Sequence, residues 1–144
     1  MAHFQLAQAL GRQAQRENLI GSAKLAGQIK SELLTAIRLD PGMPQPYAAL
    51  AVWNAEISAK GALPALLLGA SRAEALKNFE KTLNLDPVTM SYHVEYGRAL
   101  LNMNDAKLRA RGVQQLQYAL TLTPRTYWER DEQRKARELL GQLR

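Results

Sequence analysis

No cysteine occurs among the 144 residues, so disulfides and thiolate metal sites are excluded and the redox compartment stays open. Aromatic residues make up only 6%, too few to suggest a row of base-stacking platforms. Histidine is scarcer still. His3 and His93 lie far apart and in no metal-spaced cluster, so no metal site is expected. The longest apolar run, "GALPALLLGA" at residues 61–70, is too short to span a bilayer and contains Pro64. The N-terminal "MAHFQLAQALGRQ" lacks a basic start followed by an apolar block, so no signal peptide is visible. The sequence names no compartment: cytoplasmic is the default expectation, and the periplasm stays open if the chain is a trimmed mature domain.

What is present is ordinary for a globular protein, with 47% apolar and 22% charged residues. The length suits a single domain, 1–144, with a core that needs no staples. Net charge is +6, but the charges are mixed in sign, which describes a solvated basic surface rather than a basic tail.

Apolar residues recur at helical spacing: Leu25, Ile29, Leu33 and Ile37 stand four apart, and Val113, Leu116 and Leu120 repeat the pattern. No stretch alternates at period two for long enough to suggest a strand. The expected fold is all-α, with seven helices at about 3–16, 22–39, 44–60, 72–85, 90–102, 106–122 and 127–143. Ser71 with Glu74, and Thr126 with Glu129, read as capping boxes at two of the helix starts. In the last helix eight of the ten residues 129–138 are charged, so it reads as a solvated terminal cap.

Three segments close alike: "LLTAIRLDP", "FEKTLNLDP" and "LQYALTLTP". Their prolines, Pro41, Pro87 and Pro124, stand 46 and 37 residues apart. Each is preceded by small residues at matching places. Ala75 and Phe79 fit an A-x3-F pattern, and Gly97, Gly112 and Ala119 hold crossing positions in the third unit. Ala7, Leu10, Gly11 and Ala14 open the first unit; Tyr47, Leu50 and Ala51 open the second. The chain resembles the tetratricopeptide repeat family over almost its whole length. The resemblance implies a superhelix of three antiparallel helix hairpins, at about 3–41, 44–87 and 90–124, with a capping helix at 127–143. The segment "WNAEISAKGALPALLLGASRAEALKNFEKTLNLDP" is also similar to bacterial tetratricopeptide proteins related to the regulator of microtubule dynamics group. The departure lies in hairpin length: 18, 24 and 15 residues separate the paired crossing positions, against about 12 in a plain ~34-residue repeat.

Enzymatic chemistry finds no support in the sequence. There is no phosphate-cradling glycine loop and no nucleophile elbow, and His93 sits at a helix-packing position, so neither a catalytic residue nor a cofactor is expected. Nucleic-acid binding is disfavoured too. "KLRARG" at 107–112 is basic, but acidic residues interrupt the arginines that follow. The preferred function is a protein or peptide interaction scaffold. The repeat register implied by the family puts the concave, partner-binding face on Gln8, Arg12 and Gln15, on Val52 and Glu56, and on Val94, Arg98 and Asn102. Gln5, Ala48 and Ser91 hold neighbouring groove positions. Arg12 and Arg98 could take a carboxylate by paired bonds, or could instead pair with neighbours such as Glu56 or Glu95. The family's peptide C-terminus clamp is not reproduced.

The insert 61–70 is the unusual element. Leu63, Leu66, Leu67 and Leu68 would form an apolar contact surface if left bare, so folding back on the core as a short helix is preferred over docking on a partner or a second copy. The alternative function is a small-molecule or lipid-binding helical domain in which this insert closes a pocket.

Overall fold

The computed structural model describes residues 1–16 and 19–143, and these are all-helical, with no strand among them. Eight helices follow in order: α1 (Ala2–Ala14), α2 (Leu19–Leu39), α3 (Pro44–Ala59), α4 (Ala62–Leu68), α5 (Arg72–Leu85), α6 (Met90–Asn102), α7 (Ala106–Thr121) and α8 (Tyr127–Gly141). The seven expected helices are present within two or three residues of their expected ends. The eighth, α4, lies in the insert. Pro64 does not prevent it, because a proline in the first helical turn removes an amide that has no intrahelical partner anyway.

The chain divides into two compact units, Met1–Leu85 and Asp86–Arg144. In the first, α1 and α2 run antiparallel. His3, early in α1, bonds Glu32, late in α2, while the Ser22 hydroxyl at the other end donates to the Ala14 carbonyl at 2.8 Å. α3 pairs with α5, and α2 packs on α3. The core of this unit gathers Ala7, Leu33, Leu50, Trp53, Ile57 and Ala70. Its buried Asn54 is satisfied internally. Asn54, 2% exposed, donates to the Leu50 carbonyl and accepts from the Ser71 amide at 3.1 Å, which ties α3 to the start of α5. Ser71 then caps α5 by accepting from the Glu74 amide at 3.0 Å.

In the second unit α6 and α7 are antiparallel, and α8 packs on both. Met90, Val94, Leu116, Ala119 and Ala136 form its core. Each fully buried large apolar side chain here contributes roughly 1.5–3 kcal/mol. Thr126 and Glu129 complete the expected capping box at α8. One face of α8 is bound inward: Gln133 is buried and donates to the Ala119 and Leu122 carbonyls at the end of α7. On the other face Arg134 and Lys135 pair with Asp131, Glu132 and Glu138.

The recurrent Asp-Pro has a local function that goes beyond stopping a helix. Asp40 accepts from the Gly42 amide at 3.2 Å, and Asp86 accepts from the Val88 and Thr89 amides at 3.1 and 3.0 Å. In each case the carboxylate shapes the turn while the proline blocks further helix. His93 bridges helices as expected: one ring nitrogen meets Gln115, and the other donates to the Pro87 carbonyl, both at 2.7 Å.

Candidate interaction cleft

Five of the eight side chains assigned to the concave face come together in the first unit. Gln8 and Arg12 from α1, Gln15 just past its end, and Val52 and Glu56 from α3 line one open cleft of about 500 Å³. Their spacing accounts for this. Residues four apart share a helix face, so α1 presents Gln8 and Arg12, and α3 presents Val52, Glu56 and then Lys60. The floor comes from Ser22, Ala26 and Ile29 of α2.

The concavity depends on side chains that are small. Gly11, Ala14, Ala26 and Ala49 all border it, and nothing lies within 4 Å of where a Cβ on Gly11 would stand. Trp53 supplies a rigid inner wall. Its indole N–H donates to the Ala26 carbonyl at 3.0 Å, and Lys30 Nζ lies 5.2 Å from its ring centroid. That fixes the ring against α2 and leaves it only 7% exposed. Val52 and Ile57 complete an apolar wall, while Gln8, Arg12, Gln15, Glu56 and Lys60 form a polar rim. Among the described residues the side chains of Arg12, Glu56 and Lys60 make no hydrogen bond or ion pair.

The other three assigned residues stand on α6 in the second unit. Val94 is fully buried in that unit's core. Arg98 bonds Glu95, the pairing that the sequence left open against partner binding, and its Nε is buried without a hydrogen-bond partner. Asn102 is exposed at the last turn of α6. The insert splits in two. Leu68 packs against the core of the first unit, while Leu63, Leu66 and Leu67 point outward. None of these four leucines is among the residues lining the cleft. Among the described residues, no group of three or more metal-ligating side chains converges.

Comparison with protein families, with curated proteins and with solved structures found no match to this chain. The cleft therefore has to be read from its own chemistry. Its features are an apolar wall, a floor of Ser22, Ala26 and Ile29 and, among the described residues, two cations and one carboxylate whose side chains have no partner. Such a surface can hold an apolar side chain of a peptide and bond the polar groups beside it. Trp53 and Lys60 were not singled out by the repeat register, which gave Ile29 only a helix-packing role. Helical periodicity marks them as inward or flanking positions but cannot show that small neighbours leave space above them.

Proposed function

We propose that this chain is a non-enzymatic interaction module of the tetratricopeptide type, whose α1–α3 cleft binds a peptide segment of another protein. The observation that carries this reading is the convergence of Gln8, Arg12, Gln15, Val52 and Glu56, chosen from repeat register alone, on one cleft. Further support comes from three antiparallel helix pairs, each closed by a proline, and from glycines at the α6–α7 crossing. The small-molecule or lipid-pocket alternative needs the insert to close a pocket, and the insert leucines do not line this cleft.

The test is selection of peptides from a random displayed library on the immobilised chain, followed by fluorescence anisotropy with the enriched sequences. Val52→Arg puts a charge on the apolar wall and should weaken binding at least about tenfold, with the helical circular dichroism unchanged. Equal affinity for Val52→Arg, or no enrichment at all, would reject the reading.

A further inference from the structure

The outward side of α4 carries three leucines with nothing over them: Leu63 is 65% exposed, Leu66 79% and Leu67 74%. They occupy i, i+3 and i+4 positions, so they share one face. The opposite face is anchored. Ala65 and Leu68 pack on the core of the first unit, and Ala70, just past the helix, is buried in it. The C-terminal end is closed twice, by the Ala70 amide to the Ala65 carbonyl at 2.8 Å and by the Gly69 amide to the Leu66 carbonyl at 3.4 Å. Gly69 sits at φ +68°, where a side chain would be strained. Lys30 Nζ fastens the same end by donating to the Gly69 carbonyl at 2.9 Å. The leucines are thus displayed by a fixed helix, and ordinary monomers seldom leave such a patch bare.

Charge selects the occupant. Between Glu56 and Glu74 the chain carries no acidic residue, only Lys60 and Arg72. Both are exposed, and neither side chain has a hydrogen-bond or ion-pair partner among the described residues. Lys30 adds a third cation at the end of the helix. A second copy of the chain suits this face poorly, because a twofold contact would set these cations against themselves. A helix about 10 Å long also offers far less than the roughly 800 Å² per partner of a stable interface. Exposed leucines flanked by unpaired cations instead match the two signals that hold a protein on an anionic bilayer: apolar insertion and attraction to the headgroups.

We propose that α4 is a peripheral membrane anchor, which sinks Leu63, Leu66 and Leu67 into an anionic lipid surface while Lys60, Arg72 and Lys30 lie at headgroup level. The experiment is flotation of the full chain with phosphatidylcholine vesicles, with and without phosphatidylglycerol. Binding is expected to the anionic vesicles only, and to fall as salt is raised. Leu66→Ser/Leu67→Ser and, separately, Lys60→Gln/Arg72→Gln should each weaken it at least about tenfold. All four positions are exposed, and circular dichroism checks that the fold is kept. Leu66→Trp should show a blue-shifted emission on binding. The proposal falls if anionic vesicles leave the wild type unbound, or if the double-serine variant binds as well as wild type. It also falls if the wild type sediments as a dimer that the double-serine variant dissolves, which would assign the leucines to a second copy.

Discussion

Gly97 of α6 and Gly112 of α7 meet backbone to side-chain position. A Cβ built on either would come within 3.0 Å of the other's carbonyl oxygen, so the two helices cross as closely as they can. The same Cβ on Gly97 would also meet Leu116, whose Cγ would lie 2.7 Å from it.

This crossing predicts the outcome of Gly97→Ala. In an exposed helix the change would stabilise by up to about 1 kcal/mol. Here the methyl must displace the fully buried Leu116 at its branch point, and overpacking of this kind costs about 1–3 kcal/mol. Net destabilisation is expected, seen as a lower midpoint in urea with the slope unchanged. Gly97→Ala as stable as the wild type would show that α6 and α7 can separate freely.

Gly11→Ala should go the other way. Gly11 lies inside α1, and an added Cβ meets nothing within 4 Å. The variant should gain about 0.5–1 kcal/mol in the same urea assay. Because Gly11 borders the cleft, the methyl should also weaken any peptide bound there, so stability and binding would move in opposite directions.

The contrast between these glycines shows what was legible in the sequence. The repeat register assigns both to the small crossing position of a hairpin, and periodicity treats them alike. Only packing separates a glycine pressed by Leu116 from one facing open space. Val52 and Val94 part in the same way. Both were assigned to an open face, yet Val52 lines the cleft, while Val94 is buried in a core shared with Ala136 of α8. The charge-rich sequence of α8 announced a solvated helix, but did not show that its Gln133 would bury against the preceding pair. Helices and caps were readable because their signals are local: Thr126 and Glu129 act across a single turn. The satisfaction of Asn54 was not, because its partner Ser71 follows the whole insert. α4 was legible as an apolar run that folds back. Which of its leucines stay outside depends on the Ala65, Leu68 and Ala70 contacts, which composition does not encode.

The two tryptophans should respond differently to replacement by phenylalanine. Trp53→Phe keeps an aromatic ring but loses the bond to the Ala26 carbonyl, which retains its helical donor inside α2, and the smaller ring leaves a gap in the core. A cost of about 1–3 kcal/mol is expected. Trp128 is 74% exposed and touches the Tyr127 ring edge-on at 5.4 Å. Trp128→Phe should change stability by no more than about 0.5 kcal/mol. The residual emission of Trp128→Phe, from buried Trp53, should lie to the blue of that of Trp53→Phe. Equal thermal midpoints for the two variants would refute the structural weight given to Trp53.

Asp86 makes the fold of the second unit sensitive to acid. Partial burial by itself pushes its carboxyl up, but bonds from the Thr89 hydroxyl and from the Val88 and Thr89 amides, with the nearby His93 ring, outweigh this and hold it below the usual aspartate value. A carboxylate with a depressed folded-state value stabilises the protein wherever it is ionised in both states, and that contribution is lost on protonation. The stabilisation should therefore be complete above the unfolded value of about 4 and should fade as pH falls through the lower folded one. Asp86→Ala should cost about 1 kcal/mol at neutral pH, the size of a lost cap. As pH falls from about 4 through the lower folded value, the gap between wild type and variant should narrow. Asp86→Asn retains an oxygen for the amides but no charge, so it should lie between them at neutral pH and show a shallower acid limb than wild type. Urea midpoints measured from pH 7 down to pH 3 decide the matter: a constant gap between wild type and Asp86→Ala would mean that the residue acts by packing alone.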